Sequence, residues 1–203
     1  MRVIITRHGE TIENRDRIVQ GHLPGTLSEL GMEQARDLAK RLEGISLDAI
    51  YSSDLRRALD TAREVAILYP GIPFMSTEDL RERNFGRFQG MYKSDIGLNP
   101  HESTSTHEFD DESVETKSQM KERGEKFIDY LFEEGWDNVL CVGHSCMNRA
   151  LIGIIRGYPT DGIFDMVQLY NTSVTIYDVG KDRRFEKVLF NFMGYVRSPS
   201  EVA

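Results

Sequence analysis

Short apolar stretches alternate along the chain with longer stretches whose apolar residues recur at helical spacing. In the longest early example, Leu38, Ala39 and Leu42 share one face, and Ser28 can cap the N-terminus of that helix. The pattern predicts strands over 2–6, 47–51, 73–76, 138–142, 173–179 and 185–192, and helices over 28–44, from 53 onward, over 113–134 and over 147–156. This alternation predicts an α/β fold, with a largely parallel central sheet and helices on both faces.

Length and charge limit the kinds of protein that the chain can be. Its 203 residues are typical of one domain, and we expect a single domain over 1–203. Its apolar runs are far shorter than the roughly 20 residues that cross a bilayer, so we expect a cytoplasmic protein. The formal net charge of −8 disfavours nucleic acid and anionic membranes as partners. Cys141 and Cys146 are predicted to be buried packing residues.

Cationic and imidazole side chains follow the predicted strands where those strands end. Arg7 and His8 come directly after the first strand, and His144 follows the strand over 138–142. Arg57 lies at the start of the helix that follows the second strand, next to Arg56, which we predict to be a surface charge. The carboxyl ends of parallel strands form one edge of a sheet, and helix N-termini add positive dipoles there. The sequence therefore predicts an anion site, and the planar guanidinium fits phosphate.

Two other interpretations of these residues remain open on residue type alone. His8, His22 and His144 could ligate a metal ion together with Glu10 or Glu82. Fixed arginine charges beside the histidines count against this, because they would repel a divalent cation. Alternatively, the histidines could only satisfy hydrogen bonds within the core. Phosphate chemistry is favoured over both.

Four motifs occur in order over residues 6–151 and resemble the histidine phosphatase superfamily, in the branch that includes the cofactor-dependent phosphoglycerate mutases. Residues 7–11 read RHGET with an asparagine at 14, residues 52–62 read SSDLRRALDTA, residues 80–90 read LRERNFGRFQG and residues 142–151 read VGHSCMNRAL. An isolated RHG sequence is weak evidence for this family, whereas the four motifs in this order are specific to it. The resemblance implies a phosphoglycerate mutase-like fold and phosphoryl transfer through a histidine.

The resemblance also implies a role for each matched side chain. His8 would be the nucleophile, with its other ring nitrogen held by a backbone carbonyl, and Glu82 would be the acid–base group. His144 would take part in catalysis and bind phosphate together with Arg7, Asn14 and Arg57. Further substrate contacts are predicted for His22, Arg83, Tyr92 and Lys93. No metal is required, and no cofactor is expected unless a mutase needs a bisphosphoglycerate primer.

Residues 94–116 help to distinguish a phosphatase, which transfers the phosphoryl group to water, from a mutase, which transfers it to another hydroxyl. They contain seven acidic residues and no lysine or arginine, whereas mutases of this branch carry an arginine pair for the second anion of the substrate. The sequence therefore favours a phosphatase acting on a small-molecule phosphate monoester. A phosphoglycerate mutase is the alternative, because Arg83, Tyr92 and Lys93 could hold a carboxylate. A module that only binds a phosphorylated ligand would need neither nucleophile nor acid. An exposed strand edge could support a homodimer.

Overall fold

The computed structural model describes residues 1–99, 104 and 107–194, which fold around a six-stranded sheet. The strands are β1 (Arg2–Arg7), β2 (Ala49–Ser53), β3 (Phe74–Thr77), β4 (Asn138–Gly143), β5 (Val174–Val179) and β6 (Phe185–Phe192). The α-helices are α1 (Ile12–Arg15), α2 (Glu29–Leu42), α3 (Arg56–Ala66), α4 (Lys117–Glu134) and α5 (Ser145–Ile155). Within these described ranges, no helix is long and apolar enough to cross a membrane.

The sheet has the order β3-β2-β4-β1-β5-β6. Strands β1 to β4 pair in parallel, whereas β5 and β6 pair antiparallel at one side. The predicted largely parallel sheet is therefore confirmed. Because β4 and β1 are neighbours in the middle of the sheet, their carboxyl ends are buried side by side, with Arg7 in register with Gly143.

Alternating strand residues pack against helices on opposite faces of the sheet. Val3 of β1 lies in one core cluster with Phe127 of α4. Ile4 lies in the other cluster, with Leu38 of α2 and Ala58 of α3. A fully buried side chain of this size contributes about 1.5–3 kcal/mol, so both faces need a helical layer to exclude water. Helices therefore cover both faces, as predicted, and Cys141 and Cys146 are free and buried.

Three helices begin at positions other than the predicted ones. Helix α3 begins at Arg56 rather than at 53, because Ser53 is the last residue of β2. Helix α4 begins at Lys117 rather than at 113, because Thr116 caps it in a capping box with Gln119. Ser113 instead accepts a hydrogen bond at its Oγ from the Arg87 N–H, at 3.2 Å. Helix α5 begins at Ser145, two residues before the predicted start. Apolar spacing gives no sign of this start, because nearly every residue of α5 is buried, polar ones included.

A close backbone contact joins the loop after β1 to the first turn of α2. A Cβ added to Gly31 would lie 1.9 Å from the carbonyl oxygen of Glu10, and one added to Gly9 would lie 2.4 Å from the carbonyl oxygen of Gly31. Ser28 caps α2 as predicted, since its Oγ accepts from the Gly31 N–H at 3.0 Å. The glycines therefore let α2 pack directly against the loop that carries His8.

Candidate active site

The two histidines that follow β1 and β4 lie together at the carboxyl edge of the sheet. The His8 N–H donates to the carbonyl of Gly143 at 3.0 Å, which extends the β1–β4 pairing by one residue. The rings of His8 and His144 have centroids 5.1 Å apart and are tilted by 58°. Both side chains are almost completely buried. The structure therefore brings together two residues that are 136 positions apart in the sequence.

Hydrogen bonding assigns the tautomer of His8. Nδ1 lies 2.7 Å from the carbonyl oxygen of Gly9, so Nδ1 carries the proton and donates it. Nε2 then holds a lone pair and accepts from Nε of Arg57 at 3.3 Å. The nitrogen with the free electron pair thus faces a fixed cation. This arrangement suits a nucleophile whose incoming partner is an anion.

Both active-site histidines are held neutral by their surroundings. Burial lowers the pKa of His8 well below its usual 6.5, and the charges of Arg57 and Arg7 lower it further. Burial also lowers the pKa of His144 well below that value, again with help from Arg57, His8 and Arg7. A neutral imidazole is the nucleophilic form, so His8 keeps its lone pair through the physiological pH range.

This pair of histidines should make stability depend on pH. In the unfolded chain they take up protons near pH 6.5, whereas in the fold they stay neutral, so lowering the pH favours unfolding. We expect the free energy of unfolding to fall below pH 6.5 by up to about 1.4 kcal/mol per pH unit for each histidine. Urea unfolding between pH 7.5 and 5 measures this slope.

Two single glutamine variants, one a test and one its control, show whether this slope comes from the buried histidines. His144→Gln should flatten the dependence, whereas His107→Gln, at an exposed position, should leave it unchanged. Equal slopes in wild type and His144→Gln would contradict the assignment of a neutral, buried His144. His22 adds a smaller contribution of the same sign in both proteins, because burial lowers its pKa also.

The two arginines are fixed by backbone carbonyls rather than by carboxylates. One guanidinium nitrogen of Arg7 donates to the carbonyl of Leu169 at 2.9 Å. Arg57 donates to the carbonyl of Gly21 at 2.8 Å and to those of Leu23 and Pro24. Burial lowers the pKa of Arg57 to about 10, so the side chain is charged at neutral pH. Neither charge is cancelled by a direct ion pair within the described residues, which leaves both available to an anion.

Several buried polar atoms around His8 have no hydrogen-bond partner among the described residues. They are both ring nitrogens of His144, Nε of Arg7 and the hydroxyl of Ser145. Buried polar atoms are nearly always paired in native proteins, because an unpaired one costs about 1–3 kcal/mol. A tetrahedral oxyanion placed beside His8 would supply acceptors for the Nε–H of Arg7, the hydroxyl of Ser145 and the one ring N–H of neutral His144. The N-terminus of α5, which starts directly after His144, adds its dipole to the same place.

Glu82 lies in the segment after β3, and its carboxyl contacts the start of α5, next to His144. Its Oε1 accepts from the backbone N–H groups of Arg83 at 2.9 Å, Cys146 at 2.9 Å and Met147 at 3.3 Å. Its Oε2 accepts from the Cys146 N–H at a longer distance, 3.3 Å. Three N–H groups thus orient the carboxyl at the start of α5, and Oε2 has fewer backbone partners than Oε1.

A cavity of about 260 Å³ opens onto these groups. Among the predicted site residues, it is lined by Arg7, His8, Asn14, Arg57, Glu82 and Lys93. Asn14 is oriented by the capping box of α1, since its Oδ1 accepts from the Thr11 N–H at 3.3 Å, and its amide NH₂ can donate to a ligand. His144 is not among the lining residues of this cavity, but its ring is adjacent to that of His8.

Three predicted substrate contacts lie outside this cavity lining. His22 lines a separate cavity, and its Nε2 lies 2.8 Å from the carbonyl oxygen of Glu82. Arg83 is buried and donates to the carbonyls of Glu115 at 2.7 Å and His107 at 3.3 Å. Tyr92 is half exposed. The polar atoms of His22 and Arg83 are thus engaged by backbone carbonyls, and none of the three side chains lines the cavity at His8.

Sequence reasoning missed several residues of the cavity. These are Glu10, which it considered as a metal ligand or as a group that caps or hydrogen-bonds the loop, and Arg15, Arg17, Gln20, Ser145, Gln168 and Asn171. The closeness of Arg15 and Arg17 to Asn14 was the signal that could have found them. Asn171 gave no signal, because it is far from every motif, yet its amide donates to the carbonyl of His8 at 2.8 Å.

The metal interpretation finds no support in the geometry of the described residues. No three histidine, cysteine, aspartate or glutamate side chains in that part of the chain lie close enough to share a metal ion. His22 is directed into the separate cavity, and Oε1 of Glu10 accepts a hydrogen bond from Ser28 at 2.8 Å. Two of the candidate ligands, His22 and Glu10, therefore have other partners.

An α/β sheet with a neutral histidine among buried arginines at its carboxyl edge defines a class of protein that binds and transfers anionic groups. The chain belongs to the histidine phosphatase superfamily, branch 1, whose family model matches residues 3–192.

Three known proteins resemble this chain in sequence or in structure, each over a different part of its length. The adenosylcobalamin/alpha-ribazole phosphatase of Escherichia coli is 32% identical over 170 residues, which cover 81% of this chain and 83% of that protein. The metal-independent phosphoserine phosphatase of Arabidopsis thaliana is 40% identical over 91 residues, but these are 44% of this chain and 38% of that protein. The solved structure of Bacillus stearothermophilus YhfR has a TM-score of 0.84 and 29% identity, covering 96% of this chain and 98% of that one. The predicted family and fold are thus confirmed.

Proposed function

We propose that this protein is a metal-independent phosphatase that hydrolyses small-molecule phosphate monoesters through a phosphohistidine at His8. The observation that carries the proposal is the lone pair on Nε2 of His8, surrounded by Arg57 and by buried polar atoms that need partners. A phosphoryl group is the ligand that uses all of these features, because it is both the anion to be bound and the electrophile to be attacked.

In the first step, the phosphoryl group of the ester enters the cluster, and the Nε–H of Arg57 turns from Nε2 of His8 to a phosphoryl oxygen. Nε2 then attacks phosphorus, and the bond from phosphorus to the ester oxygen breaks. The leaving oxygen takes the proton carried by Oε2 of Glu82, so a neutral alcohol departs. Arg7, Arg57 and His144 stabilise charge on the transferred oxygens.

In the second step, the Glu82 carboxylate takes a proton from a water molecule, whose oxygen attacks phosphorus. The bond from phosphorus to Nε2 breaks, inorganic phosphate forms, and both Glu82 and His8 return to their starting states. The Nδ1–H of His8 donates to Gly9 throughout and keeps the ring in one orientation. The protein thus supplies the nucleophile, the proton carrier and the cations from its own side chains.

A phosphoglycerate mutase remains the second candidate, because the cavity lining contains Lys93 together with Arg15 and Arg17. These cations could retain an intermediate with two anionic groups. Sequence similarity to two relatives supports transfer of the phosphoryl group to water instead. The Escherichia coli and Arabidopsis thaliana relatives are both named as phosphatases.

One assay separates the two reactions. The wild-type protein is incubated with a panel of phosphate monoesters, with and without a strong chelator, and free phosphate and isomerised product are measured separately. We expect phosphate release to match substrate loss, to be unaffected by the chelator and to be inhibited by vanadate. Isomerisation that depends on a bisphosphate primer would identify a mutase, and activity that zinc or manganese restores after chelation would identify a metalloenzyme.

The acid–base role of Glu82 predicts a dependence on the leaving group. We expect Glu82→Gln to lower kcat for alkyl phosphates by about 10²–10⁴-fold, and to lower it much less for p-nitrophenyl phosphate, whose leaving group needs no proton. A Brønsted plot of kcat against leaving-group pKa measures this. The matched control is Glu115→Gln, which lines the separate cavity with His22 and should keep the wild-type slope. An equal loss for both leaving groups in Glu82→Gln would mean that this carboxyl does not donate the proton.

Three further features are proposals that follow from the sequence alone. The ligand is a small phosphate ester rather than nucleic acid or membrane, the location is cytoplasmic, and no cofactor is required. The homodimer and the single domain over 1–203 stay predictions.

A further inference from the structure

Two side chains from distant parts of the chain fix the peptide group between His8 and Gly9. The carbonyl of His8 accepts a hydrogen bond from the side-chain amide of Asn171 at 2.8 Å. The N–H of Gly9 donates to Oγ1 of Thr61, which is completely buried, at 3.0 Å. The ladder between β1 and β5, which ends at Thr6, does not extend to the His8 carbonyl. The direction of this peptide therefore depends on side chains that the proposed reaction does not use.

The direction of this peptide decides where the carbonyl of Gly9 points. That carbonyl lies 2.7 Å from Nδ1 of His8, which keeps the proton on Nδ1 and the lone pair on Nε2. Glycine restricts its backbone torsions less than any other residue does. The Gly9 carbonyl is therefore held from both sides, by the peptide before it and by Gln34, whose Oε1 accepts from the next N–H at 2.8 Å. If the first peptide rotated, the carbonyl would leave Nδ1, and either ring nitrogen could then carry the proton.

Asn171 suits this position because its side chain is a neutral donor. A backbone carbonyl can only accept, so the amide nitrogen of Asn171 is the atom that faces His8. Asn171 also lines the cavity, where Arg7 and Arg57 supply the positive charge. An amide therefore fixes the peptide without changing the charge that acts on the phosphoryl group.

The residue after Asn171 has a strained backbone. Thr172 has a φ of 55°, in the left-handed region that β-branched residues seldom adopt. Its N–H donates to the carbonyl of Arg7 at 2.9 Å, and its own carbonyl accepts from Nη2 of Arg41 at 2.8 Å. Such strain persists only where the surrounding structure imposes it, and it is concentrated at functional sites. The bonds of Thr172 thus hold this segment at the end of β1, where the amide of Asn171 contacts His8.

We propose that Asn171 is a positioning residue for the nucleophile. By holding the carbonyl of His8, it keeps the Gly9 carbonyl at Nδ1 and directs Nε2 to the phosphoryl group. This inference rests on the proposed phosphatase function, in which Nε2 attacks phosphorus. A displacement of about 1 Å at a reacting atom can lower the rate by about 10²-fold. Loss of this hydrogen bond should therefore lower kcat, whereas binding of the phosphoryl group, which depends on Arg7 and Arg57, should change little.

Asn171→Ala tests the proposal in two measurements. With p-nitrophenyl phosphate we expect kcat to fall by about tenfold to 10²-fold, and KM to change by less than about threefold. NMR of the ¹⁵N-labelled imidazole rings, without substrate, should show the His8 proton on Nδ1 in the wild type and shared between both ring nitrogens in the variant. Asn171→Leu repeats both measurements if the alanine variant is poorly folded, because leucine keeps a similar volume without a donor.

Asn191 provides a matched control. Its side chain also holds the segment before β5, since Oδ1 accepts from the Tyr170 N–H at 3.0 Å and Nδ2 donates to the Gln168 carbonyl at 3.3 Å. Neither bond involves residues 7–9. Asn191→Ala therefore loosens the same segment but keeps the bond at His8, and it should retain the wild-type kcat and the wild-type His8 ring signals.

A folded Asn171→Ala or Asn171→Leu protein with the wild-type kcat would overturn the inference. Equal losses of kcat in Asn171→Ala and Asn191→Ala would also overturn it, because the segment as a whole would then matter rather than the bond to His8. A fall in kcat with unchanged His8 ring signals would overturn it too, and would assign Asn171 to substrate contact. A wild-type protein that hydrolyses no phosphate ester would refute the proposed function, while the ring signals, which need no substrate, would still confirm or overturn the positioning of His8.

Discussion

His8→Ala should lower kcat for every phosphate ester by at least about 10⁴-fold, because this substitution removes the only atom to which the phosphoryl group is transferred. The fold should survive, since the side chain makes one hydrogen bond to its neighbour Gly9 and one from Arg57. Steady-state kinetics with p-nitrophenyl phosphate measures the loss, and circular dichroism checks the fold.

The control for this prediction is His107→Ala, at an exposed position. It should keep wild-type kinetics, because the His107 ring contacts Phe109 rather than the cavity. A folded His8→Ala protein that retains a hundredth or more of the activity would exclude His8 as the nucleophile.

Arg57→Ala should affect both activity and stability. It removes donors from the buried carbonyls of Gly21, Leu23 and Pro24, and we expect a loss of about 2–4 kcal/mol in the free energy of unfolding. It also removes a cation from the transferred phosphoryl group, which should lower kcat/KM by about 10²–10⁴-fold. Urea unfolding and kinetics measure the two effects separately.

Two further variants separate charge from geometry at this position. Arg57→Lys keeps the charge but loses the planar fork, so it should recover only part of the activity. Arg56→Ala, one residue earlier on α3, removes an exposed arginine paired with Asp60 and should leave both properties nearly unchanged. Similar effects for Arg56→Ala and Arg57→Ala would mean that Arg57 has no special place in the site.

The sequence predicted the parts of this site that depend on local pattern. Apolar runs that end in histidine located β1 and β4, and parallel pairing then placed His8 beside His144. The motif order identified Glu82 and Arg57. The strands and the closeness of the two histidines could be predicted because strand periodicity and the edge rule for parallel sheets follow from backbone geometry, which a local pattern can report. The roles of Glu82 and Arg57, which the resemblance implied, stay predictions.

The remaining parts of the site depend on loop paths. His22 is directed away from the cavity because the chain turns at Gly21, whose φ is 52°, and its N–H then donates to Gln89 at 2.6 Å. Arg7 is fixed by the carbonyl of Leu169, and the loop after β1 by Asn171. Such long-range contacts have no periodicity, so the sequence could not show them.

Trapping the phosphoenzyme tests the central proposal most directly. The protein is mixed with a labelled phosphate ester, quenched in base within one turnover, and mapped by mass spectrometry. Because Nδ1 of His8 is occupied by its hydrogen bond to Gly9, we expect an acid-labile, base-stable phosphoryl group on Nε2 of His8. A label on His144, on Nδ1 of His8 or on a carboxylate, or no covalent label during turnover, would contradict the proposed mechanism.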